Sequence, residues 1–240
     1  MNINEDTKKN YLLDHLERLR DSRSRLHKKQ WISYNYKKFI PTDKNANILE
    51  IGPGFGELLE FLIIDCKYNN VKAIDISDAV ENYCNKIIQN STIKVNDTVE
   101  FLKNNKNKFD VIFMLQLLEH IPKKNVNQFL IAVNNALSDN GKVIIEVPNA
   151  ANFIIGINNY FSDFTHEVAY TDVSLRYILQ INNFSEIELF ELKVPIVSIG
   201  RIIQAGLIKL SNLILIILNK IYLPSRKQIL SPIIYAIAKK

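Results

Sequence analysis

Three glycines set between two acids are the first residues in this chain whose types and spacing suggest chemistry. In ILEIGPGFGELLEFL, residues 48–62, Glu50 precedes Gly52, Gly54 and Gly56, and Glu57 follows them. The apolar run before the glycines reads as a buried strand, and the leucine-rich run after them reads as a helix. A glycine turn between a strand and a helix lets a ligand approach backbone N–H groups closely, and commonly seats a nucleotide. The dinucleotide fingerprint G-x-G-x-x-G asks for a third glycine where this chain has Glu57. Two carboxylates would repel a pyrophosphate, so the turn favours a ligand that carries positive charge.

S-adenosylmethionine is such a ligand, with an ammonium, a sulfonium and no phosphate. An acid at the end of the second strand would take its ribose hydroxyls. Asp75 stands there in A-I-D-I-S, 23 residues after Gly52, near the usual spacing of about 20. Methyl transfer from such a donor is a direct displacement in which positioning supplies much of the rate. An alcohol or amine acceptor also needs a base of near-neutral pKa, which favours histidine, whereas a phosphate or carboxylate acceptor needs none. Of the four histidines, His15 and His27 read as surface residues on N-terminal helix. His120, after Glu119 in L-L-E-H-I, and His166, in D-F-T-H-E, fall where a cleft would lie. Glu119 and His120 alone are too few ligands for a metal centre, and no metal is expected. Cys66 and Cys84 show neither metal nor C-x-x-C spacing, which fits a reduced cytosolic compartment.

These groups need a scaffold, and the chain offers a regular one. Residues 4–38 look helical and amphipathic, with Pro41 as a stop, and the basic stretch from Arg18 to Lys29 could lid a cleft. Trp31, Tyr34 and Tyr36 are candidates to close over the cofactor, or else core packing. Strands are expected at 47–51, 71–76, 92–95, 110–114 and 142–147, with helices from about 57, 77–89, 98–104 and 123–137 between them. Ser77 is a natural N-cap, and Asp139-Asn140-Gly141 reads as a turn. Residues 149–170 show no period and read as a loop or lid over the carboxyl ends of the strands. A helix over 171–181, a sixth strand over 186–194, an apolar helix over 196–222 and a final strand over 229–238 complete the chain. Such alternation means parallel βαβ units and a doubly wound sheet.

E-I-G-P-G-F-G-E, A-I-D-I-S, F-D-V-I-F-M-L-Q-L-L-E-H-I-P and G-K-V-I-I-E-V-P-N, in that order over about residues 46–190, resemble a class I S-adenosylmethionine-dependent methyltransferase. The resemblance implies an α/β, doubly wound, seven-stranded, mostly parallel sheet of Rossmann-like methyltransferase fold, its last strand antiparallel. It places Glu50, Gly52, Gly54 and Gly56 on the methionine side of the cofactor, Asp75 at the ribose and Ile76 against the adenine. Asp97 and Thr98 would meet the adenine amino group, and Leu115 and Gln116 would line the sulfonium region. Gln116 departs from the small polar residue many relatives carry. Asp97 as a mere helix cap and Ile76 as plain core are the competing readings. The D-F-T-H-E segment resembles the D-x-T-H segment of methyltransferases of bacterial surface-polysaccharide biosynthesis. That resemblance implies His166 as a substrate-side residue and base, with His120 as the alternative base. Asp163, Thr165 and Glu119 would then lie on the substrate side. Against it stands a cap or loop tie formed by Asp163, Thr165 and His166.

After Glu191 there is no acid, only eight cations, so the first 191 residues carry a net −3 of the chain's +5. The asymmetry argues against a nucleic-acid binder with a wholly basic face. Ile199, Ile202, Ile203, Leu207, Leu210, Ile214, Ile217 and Ile221 fall on one helical face. The longest unbroken apolar run is Leu213 to Leu218, which disfavours a spanning helix. The helix is expected to pack on the domain, or against a second subunit, with partial contact to an anionic membrane.

The expected organisation is a single methyltransferase domain over 1–240: an N-terminal helical cap at 1–42, a core at 43–195, and a basic apolar helical insertion with the last strand at 196–240. The expected activity is O-methylation of a sugar hydroxyl or phosphoryl-type substituent of a capsule or lipopolysaccharide precursor. The alternatives are a quinone-type small-molecule O-methyltransferase and a non-catalytic membrane-associated scaffold that keeps the fold. The expected location is cytoplasmic, with peripheral membrane contact, and a homodimer is a candidate assembly. The polar start from Asn2 to Asn10 shows no signal-peptide pattern.

Overall fold

The computed structural model describes residues 25–152, 155–222 and 229–240. Helix α1 (Arg25–Tyr36) is followed by a 3-10 turn at Lys37–Phe39. His15 and the first part of the expected N-terminal helix lie outside the described residues. From Asn47 the chain alternates through β1 (Asn47–Ile51), α2 (Glu57–Glu60), β2 (Asn70–Asp75), α3 (Asp78–Ile87), β3 (Thr92–Lys94), α4 (Thr98–Lys103) and β4 (Phe109–Leu115). It continues through α5 (Val126–Ala136), β5 (Leu137–Pro148), α6 (Gly156–Phe161), α7 (Asp172–Ile181), β6 (Ser185–Glu191), α8 (Ile199–Tyr222) and β7 (Ile233–Lys239).

The seven strands form one sheet in the order β3-β2-β1-β4-β5-β7-β6. The first five are parallel, and β7 runs antiparallel between β5 and β6. Their apolar runs are continuous because helices cover both faces. On one face Ile112, Met114, Val143 and Ile145 pack with Leu130 and Val133 of α5 and Leu175 and Leu179 of α7. On the other, Ile48, Val111 and Phe113 pack with Ile32 and Tyr36 of α1, Leu58 and Leu59 of α2, and Val80 and Cys84 of α3. The strand order reverses between β1 and β4, so a crevice opens beyond their carboxyl ends.

Two expected connections differ. Asp139-Asn140-Gly141 is not a free turn but an irregularity inside β5: Leu137 pairs with Phe109, yet the next paired residue, Lys142, faces Val111. A Cβ at Gly141 would lie 2.7 Å from the Phe109 carbonyl oxygen, so only glycine lets the chains approach there. The 149–170 segment is more ordered than an aperiodic loop. It opens and closes on an Asn149–Tyr170 bridge and carries α6. Buried Asn149 donates its amide to the Ile229 and Ser231 carbonyls, 2.8 Å each, and Asn152 donates to the Leu230 carbonyl at 2.6 Å.

The largest departure is α8. Its predicted stripe does not pack on the domain: all eight residues are exposed, at 55–77%. Leu215, on the opposite side of the helix, is buried, and Arg201, Ala205 and Asn212 on that side are half-buried. By length and composition alone, Ile199–Leu218 is long and apolar enough to cross a membrane.

Candidate active site

A cavity of about 890 Å³ fills the crevice at the carboxyl ends of the strands. Its wall runs from the glycine turn and Asp75 to His120, Asp163, Thr165 and His166. Distant segments of the sequence therefore meet at the two ends of one space.

The glycine turn is shaped by backbone need. Gly52, Gly54 and Gly56 have φ of 74°, 53° and 70°, in the left-handed region that side chains disfavour. A Cβ on Gly52 would sit 3.0 Å from Leu117 Cδ1, whereas one on Gly54 would point into open space. Beneath the turn Glu50 is 3% exposed, and its Oε2 has no hydrogen-bond partner. Burial, with the Glu57 and Asp75 charges nearby, pushes its carboxyl up to about 8. The second acid behaves differently. Glu57 is paired with Lys28 at 3.1 Å, and Glu60 with Arg25 at 2.8 Å and Lys29 at 2.9 Å. The basic end of α1 thus clasps α2 and removes Glu57 as an unpaired charge. Of the two flanking acids, Glu50 is the one that stays uncompensated.

Asp75 ends β2 on the cavity wall, where burial pushes its carboxyl up to about 6, and its Oδ1 accepts the Ser77 backbone N–H at 2.8 Å. Ile76 is half exposed into the cavity rather than core. Asp97 caps α4: its Oδ1 accepts from the Val99 and Glu100 N–H groups at 2.7 and 3.1 Å. It also lines the cavity with Thr98, so cap and wall coincide. Leu115 and Gln116 line the middle. Gln116 adopts φ 54°, and its amide donates to Glu146 Oε1 at 2.9 Å. The Tyr36 hydroxyl donates to the other oxygen of Glu146. Trp31 and Tyr36 face the cavity, but Tyr34 points outward and does not contribute to the wall. The Tyr36–Glu146–Gln116 chain was not foreseen. Its signal was present as Glu146, a lone charge inside the buried run V-I-I-E-V.

At the far end the 163–168 loop is tied to the 3-10 turn at Leu118–His120. The Glu119 carbonyl accepts from the Glu167 and Val168 N–H groups at 2.7 and 3.1 Å. This tie brings His166 against His120, with ring centroids 4.6 Å apart. The Thr165 hydroxyl donates to Asp163 Oδ1 at 2.7 Å, so it can only accept from His120 Nδ1, at 2.8 Å. His166 Nδ1 lies 2.6 Å from the Tyr160 carbonyl and must donate to it. Both rings therefore carry hydrogen on Nδ1 and a lone pair on Nε2 when neutral. Glu119 does not reach the cavity as a substrate-side group: it is 0% exposed and lies behind the wall, 4.0 Å from His166 Nε2. His27 lies on α1, away from this wall.

A sheet of this order, with its glycine turn at the switch point and one cavity joining it to a histidine pair, has the fold of the class I methyltransferases. The chain belongs to the methyltransferase-domain family, which it matches over residues 17–188. It is an S-adenosylmethionine-dependent methyltransferase. Among solved structures it is similar to an S-adenosylmethionine-dependent methyltransferase of Archaeoglobus fulgidus, at 21% identity and TM-score 0.68, covering 94% of this chain and 98% of that one. It is also similar to a possible histamine N-methyltransferase of Thermotoga maritima, at 14% identity and TM-score 0.63, covering 96% and 97%. A third is the Burkholderia thailandensis 1,6-didemethyltoxoflavin-N1-methyltransferase, which holds 1,6-didemethyltoxoflavin and S-adenosylhomocysteine. There the identity is 15% and the TM-score 0.59, covering 98% and 86%. These likenesses concern the fold. Comparison with curated proteins gives no match.

Proposed function

We propose that this enzyme methylates a hydroxyl of a surface-glycan precursor, with the cofactor at the glycine end of the cavity and the acceptor at the histidine end. The observation that carries this reading is the single cavity with opposite chemistries at its ends: a buried carboxyl, Glu50, whose Oε2 has no hydrogen-bond partner, at one, and the His120–His166 ring pair at the other. The residues present fit S-adenosylmethionine. Glu50 Oε2 awaits a donor such as an ammonium, and the open space over Gly54 admits close approach of a ligand. Asp75 would take the ribose hydroxyls, Ile76, Asp97 and Thr98 the adenine, and Leu115 and Gln116 the sulfonium region.

When bound, the cofactor supplies an electrophilic methyl group, whose carbon bonds to the acceptor oxygen while the carbon–sulfur electron pair stays on sulfur. The chain's own part is positional and acid–base. Glu146, held by Tyr36 and Gln116, fixes the wall between the two ends. His120 and His166 activate the hydroxyl, and Asp163 and Thr165 keep His120 in the required tautomer. His166→Ala should lower turnover by roughly 10²–10⁴ with cofactor affinity unchanged. Unchanged turnover would shift the role to His120 or to an acceptor that is already anionic.

The glycan acceptor rests on the D-F-T-H-E resemblance. Its test is incubation with labelled S-adenosylmethionine and extracted glycan precursors, then mass analysis of the product. Label in a small phenolic substrate instead would support the quinone-type reading. Cofactor binding without transfer to either would support a scaffold. The exposed stripe of α8 supports a second proposal, that the enzyme works at an anionic membrane surface, where lipid-linked precursors are assembled.

A further inference from the structure

Behind the acceptor end of the cavity lies a buried carboxylate with no hydrogen-bond partner. Glu119 is fully buried, and neither of its carboxylate oxygens has a hydrogen-bond partner. Each such orphaned acceptor is destabilising, and buried groups in native proteins are almost always paired. The neighbours do not supply a hydrogen. His166 Nε2 is 4.0 Å from Glu119 Oε1 and 3.8 Å from Asp163 Oδ2, and its hydrogen sits on Nδ1, spent on the Tyr160 carbonyl. His120 likewise spends its Nδ1 hydrogen on Thr165. One ligand atom each of Glu119, His120 and His166 lies within 4.8 Å of the others. Both unsatisfied Glu119 oxygens thus belong to a group of three ligand-type side chains, and a cation held by the three would satisfy them.

We propose that Glu119, His120 and His166 hold a divalent first-row transition-metal cation at the acceptor end of the cavity. Two imidazoles and one carboxylate suit zinc, manganese or cobalt better than magnesium or calcium, which prefer oxygen ligands throughout. The surrounding bonds are those a metal site needs. Each histidine donates its far nitrogen to a fixed acceptor, His166 to a carbonyl and His120 to a hydroxyl that Asp163 holds in turn. Glu119 lies behind the wall while both rings line it, so the vacant coordination positions face the cavity. The sequence alone showed two of these ligands. The third comes from 46 residues further on, brought in by the backbone tie at Glu119.

The cation's purpose rests on the methyl-transfer reading; its binding does not. It would take the acceptor hydroxyl as a ligand and lower its pKa, so that the proton leaves to water and the oxygen attacks as an alkoxide. The histidines then act as ligands rather than bases. An acceptor with two adjacent oxygens, a vicinal diol or a catechol, could fill two open positions and would be preferred over one with an isolated hydroxyl.

The test is metal binding by the full chain, stripped with a chelator and dialysed. Titration with Co²⁺, followed by visible absorption, should show ligand-field bands that saturate at one equivalent, and Zn²⁺ should displace them. Glu119→Gln and His166→Ala should each abolish the bands. Thr165→Ala removes only the positioning contact and should weaken binding about 10–100-fold with the bands retained. Absence of saturable one-equivalent binding in the unaltered protein would overturn the proposal. So would bands undiminished in both Glu119→Gln and His166→Ala. Metal binding without methyl transfer would count against the transfer reading alone, and methyl transfer without metal binding against the cation alone.

Discussion

Glu50 shows how one residue can set a pH dependence. Its carboxyl is raised to about 8, first by burial and then by Glu57 and Asp75. A raised carboxyl is protonated in the folded chain and ionised in the unfolded one between about 4.5 and 8. Its contribution to stability is therefore full below that window and is lost as pH rises through it. A cationic ligand needs the ionised form, so binding below pH 8 must expel the proton. Affinity for S-adenosylmethionine should rise with pH, by up to about tenfold per unit, and level off near pH 8. The cofactor's own amine titrates nearby, so calorimetry on the unaltered enzyme and on Glu50→Gln should be compared. The variant should bind more weakly and lose the acidic limb. Parallel curves would mean that Glu50 does not face the ammonium. This acid was visible in the sequence, but its difference from Glu57 was not. Only the structure reveals that Lys28, on a helix that precedes the sheet, has already neutralised Glu57.

At the scale of elements, the strands and the long helices were legible because apolar runs of strand length and helical periodicity have few alternative solutions in a buried sheet. β1 lies at its expected residues, and α7 starts one residue later than expected because Thr171 caps it, with Ser174 completing a capping box. What was not legible depends on partners far along the chain. The segment after β5 has no period because polar side chains hold it rather than an apolar face. Asn149 links it to Ile229 and Ser231, some 80 residues away, and accepts the Ala151 N–H at 3.0 Å. Asn149→Ala should leave two buried carbonyls and one N–H short of a partner. A cost of about 2–3 kcal/mol follows, or several degrees in Tm for a chain of this size. Because the same segment carries Asp163, Thr165 and His166, turnover should fall more than cofactor affinity. A change within about 0.5 kcal/mol by thermal unfolding would show that water replaces these bonds at no cost.

For the whole molecule the decisive feature is where α8 is inserted. It leaves β6 and returns to β7, and those strands are paired neighbours in one sheet. If α8 crossed a membrane, residues 223–228 would have to cross back, because the Ile229, Leu230 and Ser231 carbonyls accept from Asn149 and Asn152 in the domain. Six extended residues reach roughly 20 Å, short of the hydrocarbon thickness of about 30 Å, and Arg226 and Lys227 are among them. An in-plane helix needs no return path. It would bury the exposed stripe among lipid tails and set Lys209 and Lys220, which flank it, near anionic headgroups, while the acidic body stays in water. The proposed membrane contact therefore predicts flotation with phosphatidylglycerol-containing vesicles, weaker flotation with pure phosphatidylcholine, and release by salt. At about 1 kcal/mol per cation, replacing Lys209 and Lys220 with Gln should weaken partitioning roughly thirty-fold. Ile203→Asp with Leu210→Asp should abolish it without lowering Tm, since both side chains are exposed in the free protein. If the unaltered enzyme ignores vesicles and is instead a dimer that the same double variant dissociates, the stripe is covered by a second copy of the chain and not by lipid.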